Sequence, residues 1–207
     1  MHRACCSHPW GGLPGGVTIL LKRALDRASV WHKDQIRKYP GVAVPYVSHV
    51  AGVVAILARH GFDEMVQAAG ALHDVIEDCG VTKAELDRLF GPRVASLVEM
   101  CSETDKSLPW EERKHLYAEH FGEKPWDAQA ISLADKIDNF ESILVCADLF
   151  GNPWAMFKRG KDAQLARFDA IAAKLEKVPP HAIIDEFHDR LDKVRAVPDA
   201  TRISQGF

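Results

Sequence analysis

Apolar residues recur at three- and four-residue spacing along most of this chain, the signature of helices that bury one face. Val17 to about Trp31 carries Leu20, Leu21, Ala24, Ala28 and Trp31 in that pattern. Val47 to Arg59 turns Val50, Val53, Val54 and Leu57 inward, and Gly61 marks its stop. Asp63 to Asp78 reads as one helix, with Asp63 as N-cap and Gly80 as terminator. Thr82-x-x-Glu85 is a capping box that opens a short helix, ended by Gly91-Pro92. Further helices are predicted for Arg93 to about Ser102, Trp110 to His120, Trp126 to about Leu149 and Ala163 to Lys177, with one more over residues 181–195. Gly122 to Pro125 reads as a turn, and Gly151-Asn152-Pro153 breaks the long helix before it. No repeat and no alternating strand pattern occurs; Val42 to Tyr46 is extended in character but has no evident pairing partner. The expectation is an all-α single domain of about eight helices spanning residues 17–195, preceded by a flexible leader (1–16) and followed by a tail (196–207).

Composition narrows the functional classes. At 207 residues, 47% hydrophobic and 27% charged, the chain is of ordinary globular make-up. A net charge of −3 argues against a general nucleic-acid binder. No apolar run approaches the roughly 20 residues that span a bilayer, and Val17 to Leu21 is too short for a signal-peptide core. The five cysteines form no CxxC pair, so neither a disulfide framework nor a cysteine zinc site is indicated. A cytoplasmic protein that meets a small molecule, with no nucleic-acid or membrane partner, is the expectation.

The chemistry concentrates in His73-Asp74-Val75-Ile76-Glu77-Asp78. On a continuous helix, four-residue spacing pairs His73 with Glu77 and Asp74 with Asp78 on one stripe of an otherwise apolar segment. Carboxylates so crowded repel one another, and a bound cation relieves that cost. A solvated acidic helix end accounts for the same residues. His49 opens another helix, where a hydrogen bond to backbone is the bland reading. Asp135 lies within Ile131-Ser132-Leu133-Ala134-Asp135-Lys136-Ile137-Asp138-Asn139, an apolar setting in which a carboxylate needs a partner, an internal salt bridge or a cation. Together His49, His73, Asp74 and Asp135 offer two imidazoles and two carboxylates, a mixed set suited to Mn²⁺, Fe²⁺ or Zn²⁺. Glu77 and Asp78, one turn on, are placed to take a proton from water at such a site. Arg37 and Lys38, with Lys33 nearby, supply cations for a phosphate-bearing substrate, or form a plain exposed basic loop.

His49, then His73-Asp74, then Asp135 is similar to the H…HD…D signature of the HD-domain metal-dependent phosphohydrolases. Gln35-x-Arg37-Lys38, Pro45-Tyr46-x-x-His49, Leu72 to Asp78, Phe90-Gly91 and Leu133-Ala134-Asp135-Lys136-x-x-Asn139 resemble the hydrolase domain of the RelA/SpoT alarmone enzymes. Lys106-Ser107-Leu108-Pro109-x-x-Glu112-Arg113-Lys114 resembles the small stand-alone alarmone hydrolases of the Mesh1-like group. The resemblance covers about residues 18–178. It implies an all-α bundle that binds one Mn²⁺ and removes pyrophosphate from the 3′ position of guanosine tetra- or pentaphosphate. Under it His49, His73, Asp74 and Asp135 are the metal ligands, and Glu77 and Asp78 are the acidic pair that activates water. Arg37 stacks on the base, Lys38 meets phosphate, Asn139 contacts ribose or phosphate, and Lys106 and Arg113 are further phosphate contacts. His32 supports the loop or the substrate. The chain departs from the family in its longer loop from Arg37 to Tyr46 and in Asp138, where His or Tyr is frequent. Hydrolysis of another nucleotide, a non-catalytic binding module and a purely structural helical domain are the competing classes.

Overall fold

One long helix organises the molecule, with shorter helices packed along it. A computed structural model describes residues 19–102 and 107–199. Its helices are α1 (Leu20–Trp31), α2 (Val47–Arg59), α3 (Glu64–Ala71), α4 (Val75–Cys79), α5 (Lys83–Phe90), α6 (Pro92–Cys101), α7 (Trp110–Glu119), α8 (Trp126–Phe150), α9 (Gly160–Leu175) and α10 (Ala182–Ala196). Short 3₁₀ turns at His120–Glu123 and Pro153–Met156 complete the described structure, so the turn expected after Gly122 is helical in part. The all-α expectation holds. Residues 1–16, expected as a leader, and most of the expected tail lie outside the described residues.

Helix α8 is the axis. It is 25 residues long, or about 37 Å at 1.5 Å per residue. It packs on α2 along one side and on α10 along another. Ala130, Ile131, Leu133, Ala134, Ile137 and Phe140 are fully buried on it. Phe140 meets Phe168 of α9 edge-on at 4.6 Å and Phe187 of α10 at 5.3 Å. Trp154, 1% exposed, donates from its indole N–H to the Val197 carbonyl at 3.3 Å and so ties the end of α10 to the segment after α8.

The start signals read from sequence operate as side-chain caps. Asp63 accepts from the Val66 N–H at 2.9 Å, and Thr82 from the Glu85 N–H at 3.2 Å. Gly91, at φ +85°, both ends α5 and precedes Pro92 at the first position of α6.

Two departures from the sequence reading shape the site. The segment expected as one helix from Asp63 to Asp78 is broken at Leu72-His73-Asp74, which form a turn between α3 and α4. The loop from Arg37 to Tyr46 is paired after all: Arg37 N–H donates to the Val44 carbonyl at 2.8 Å, Tyr46 N–H to the Gln35 carbonyl at 2.9 Å, and Ile36 bridges Pro45. Gly41, at φ +70°, turns this small hairpin.

Helices α2 and α3 approach closely because Gly70 has no side chain. A Cβ there would sit 2.4 Å from Leu57 Cδ1 and 3.4 Å from Val53 Cγ1, both in the buried face of α2. Gly70→Ala is therefore expected to destabilise the protein by about 1–3 kcal/mol, although alanine is the better helix former. Thermal or denaturant unfolding measures this; an unchanged or raised midpoint would show that α2 yields freely.

Candidate metal centre and active site

His49 enters from the first turn of α2, His73 and Asp74 from the turn before α4, and Asp135 from the middle of α8. Packing of α2 on α8 brings His49 Nε2 to 3.3 Å from Asp135 Oδ1. The break in the helix swings His73 inward, so that its Nε2 lies 3.3 Å from His49 Nε2, 3.0 Å from Asp74 Oδ2 and 3.8 Å from Asp135 Oδ1. Asp74 Oδ2 is 3.9 Å from His49 Nε2. His49, His73 and Asp135 form the tightest set, with one donor atom from each within 4.8 Å of the others. Asp74 stands at its edge, where its Oδ2 also accepts from the Tyr46 hydroxyl. All four residues singled out as ligands are thus brought together, although not by the helix-face pairing that the sequence suggested. His73 is not on one helix with Glu77. Asp74 and Asp78 do lie one turn apart, with the Asp78 N–H donating to the Asp74 carbonyl at 2.8 Å.

The hydrogen bonds fix which nitrogens face inward. His73 Nδ1 donates to the Gly70 carbonyl at 2.8 Å, and His49 Nδ1 is 2.5 Å from Asp138 Oδ2. With each Nδ1 carrying the proton, the two Nε2 lone pairs face each other and two carboxylate oxygens. Three electron-pair donors face one another with Asp74 Oδ2 at their edge, an arrangement that a cation stabilises. The same field governs titration. Burial opposes charge on His73, but Asp74 and then Asp135 outweigh it and hold the imidazole up to about 9. Burial raises Asp74 and Asp135, yet His73 beside the first and Lys136 beside the second pull both well below the usual carboxylate range. Tyr46, buried against Asp74, is pushed far above an ordinary phenol and stays protonated.

Asp135 does have the salt bridge that was its bland reading, with the adjacent Lys136. Asn139 Nδ2 donates to Asp135 Oδ1 at 2.5 Å. The two roles are compatible, since a carboxylate has lone pairs for both.

The acidic pair borders this cluster. Glu77 and Asp78 line an inner cavity of about 190 Å³ together with the four candidate ligands. Asp78 Oδ2 accepts from Gln35 Nε2 at 2.8 Å, and Gln35 Oε1 is 2.7 Å from His32 Nδ1, so His32 supports the loop rather than reaching the cluster. Arg113 Nη1 is 4.0 Å from Glu77 Oε1. That places Arg113 beside the acid instead of alone at a phosphate site.

An outer cavity of about 600 Å³ adjoins the inner one through Tyr46, Asp78, Asn139 and Arg167. Arg37, Lys38, Lys158, Arg159 and Arg167 give it a cationic wall. Arg37 leans on α8: its Nη2 is 3.0 Å from Asn139 Oδ1, 2.9 Å from Ser142 Oγ and 3.5 Å from Asp138 Oδ2, with Tyr46 beneath it at 5.8 Å. Lys106 lies outside the described residues.

Sequence reasoning assigned no role to Tyr46, Lys136, Asp138, Arg167 or the Lys158-Arg159 pair. Spacing signalled two of them: Asp138 is three residues beyond Asp135 and so on a neighbouring row of α8, and Lys136 adjoins it. The others arrive from distant elements that no local pattern links.

The HD-domain family profile matches residues 24–148. The chain is 41% identical over 123 residues to the Drosophila melanogaster guanosine-3′,5′-bis(diphosphate) 3′-pyrophosphohydrolase MESH1, covering 58% of this chain and 68% of that protein. To the Homo sapiens MESH1 it is 37% identical over 134 residues, 64% of this chain and 74% of that one. A solved structure described as a metazoan orthologue of SpoT that hydrolyses ppGpp superposes with a TM-score of 0.75 at 29% identity, covering 89% of this chain and 99% of that one. No helix among the described residues is long and apolar enough to cross a membrane. With more than half its length matched to the profile, and most of each MESH1 protein spanned at over 30% identity, this chain belongs to the HD-domain family, alongside the MESH1 proteins.

Proposed function

We propose that this protein is a divalent-metal-dependent hydrolase that removes pyrophosphate from the 3′ position of guanosine tetra- and pentaphosphate, with Mn²⁺ as its metal and Fe²⁺ or Zn²⁺ as substitutes. The observation that carries this reading is the gathering of His49 Nε2, His73 Nε2, Asp74 Oδ2 and Asp135 Oδ1 beside the acidic pair Glu77 and Asp78 and a cation-lined cavity. Kinship with proteins that bear this activity in their names supports it.

In this reading His49, His73, Asp74 and Asp135 hold the ion. A divalent ion so held supplies Lewis-acid polarisation of phosphoryl oxygens and acidifies water at the site. Glu77 and Asp78 take the proton that the attacking water gives up. Water adds to the phosphorus bonded to the ribose 3′ oxygen, that P–O bond breaks, and the 3′ oxygen leaves as a hydroxyl. The outer cavity takes the nucleotide. Arg37 packs on the base, Lys38 meets phosphate, and Asn139 bridges Asp135 to the ribose side, while Arg113, beside Glu77, is a phosphate contact and Lys106 a further one. Cations on that wall offset the charge of a substrate with two diphosphate groups.

A panel of nucleotides with purified protein and Mn²⁺ tests the reading. Release of pyrophosphate from guanosine tetraphosphate is the expected result, with loss of turnover on chelation and recovery on adding Mn²⁺. Turnover of other nucleotides without pyrophosphate from guanosine tetraphosphate would instead mark an HD phosphohydrolase of different specificity. Full activity in chelator would remove the metal from the mechanism.

A further inference from the structure

We propose that Asp138 is a positioning residue for the metal centre: its carboxylate holds His49 in the tautomer and orientation that present Nε2 to the ion. This rests on the reading of His49 as a metal ligand, not on the identity of the nucleotide. A ring nitrogen binds metal well only when the other nitrogen's N–H has an acceptor that fixes the ring, and a carboxylate also makes the ligand more basic. Asp138 Oδ2, 2.5 Å from His49 Nδ1, is that acceptor, and it faces the nitrogen opposite the one turned toward His73 and Asp135.

The surroundings are shaped for this carboxylate. A Cβ at Gly52, one turn along α2 from His49, would fall 1.8 Å from Asp138 Oδ1 and 2.8 Å from its Cγ. The absent side chain at 52 is the space that Asp138 occupies. Arg37 Nη2, 3.5 Å from the same Oδ2, balances its charge from the substrate side. Asp135 and Asp138, three residues apart on α8, lie on adjacent positions of one face. One helix therefore supplies a ligand and also the group that orients a second ligand from α2.

The test is metal affinity, read by titrating the metal-free full-length protein with Mn²⁺ and without any nucleotide. Asp138→Ala is expected to weaken Mn²⁺ binding ~10–100-fold, the usual consequence of losing a group that orients a metal-binding histidine. Asp138→Asn, whose amide oxygen still accepts from Nδ1, restores part of that loss. Gly52→Ala, which evicts the carboxylate without removing it, weakens binding in the same direction. Affinity in Asp138→Ala within about threefold of the parent would overturn the proposal. Should Asp138→Ala not fold, the imidazole ¹⁵N spectrum of the Zn²⁺-loaded parent decides: a proton on His49 Nδ1 supports the assignment, and a proton on Nε2 refutes it. A parent protein that binds neither Mn²⁺ nor Zn²⁺ would remove the metal reading itself, and this inference with it.

Discussion

Replacing His73 with alanine is expected to lower hydrolysis by ~10³-fold or more and to weaken divalent-metal binding in step. His73 Nε2 is central to the donor set, at 3.0, 3.3 and 3.8 Å from Asp74, His49 and Asp135. Its other nitrogen is pinned by the Gly70 carbonyl, which holds Nε2 turned toward the cluster. The remaining set has one nitrogen and two carboxylates that repel each other. A metal ion in phosphoryl transfer contributes several kcal/mol, and each ~1.4 kcal/mol is tenfold in rate. The same residue sets a pH dependence. Burial works against its charged form, yet Asp74 and Asp135 hold His73 up to about 9. Below that pH the metal-free protein carries a proton at the nitrogen the ion requires, and binding must expel it. Mn²⁺ affinity should therefore fall as pH drops from about 9 and level off above it. Titrations across that range check this, and an affinity indifferent to pH would show that no proton is displaced.

Glu77→Gln and Asp78→Asn are expected to cut kcat by about 10²–10⁴-fold while leaving Mn²⁺ affinity close to that of the parent. The two acids border the donor cluster without belonging to it, so their loss should spare the ion and stop the proton transfer. Asp78 is the better placed. It lines both cavities, and Gln35 holds its carboxylate at 2.8 Å, whereas Glu77 faces Arg113 at 4.0 Å. The larger loss is expected for Asp78→Asn. Steady-state rates at saturating Mn²⁺ separate the two, and unchanged turnover in the double variant would take both acids out of the reaction.

The sequence disclosed the all-helical architecture because helices such as α2, α6 and α10 bury a stripe with 3.6-residue period and most are bounded by Gly, Pro or a capping side chain. It also disclosed which residue types carry the chemistry. An Asp amid Ile131, Leu133 and Ala134, and a His-Asp pair beside two further acids, are costly unless something satisfies them. The turn at His73 was hidden, since Ala68, Ala71, Leu72, Val75 and Ile76 continue the apolar period straight through it with no Gly or Pro at the break. What diverts the chain there includes the bond from His73 Nδ1 to a carbonyl three residues back, which competes with regular helix. The hairpin from Ile36 to Pro45 was hidden for a related reason: its pairing is backbone to backbone across a loop whose side chains show no alternation. Asp138 was noticed only as an oddity. Its meaning depends on His49, 89 residues away, and on a glycine whose value is the space it leaves.

Helix α8 carries Asp135, Lys136, Asp138, Asn139 and Ser142 within two turns, and through them touches both the metal cluster and the loop bearing Arg37. It thus acts as a ruler between two parts of the site. One residue inserted or deleted between 135 and 142 would turn everything beyond it by about 100° and advance it by about 1.5 Å. Arg37 would lose its seat while Asp135 kept its own. This stretch should accept exchanges of side chain far more readily than any change of length, and variation in length along the chain belongs in the hairpin, where an added residue leaves the ruler intact.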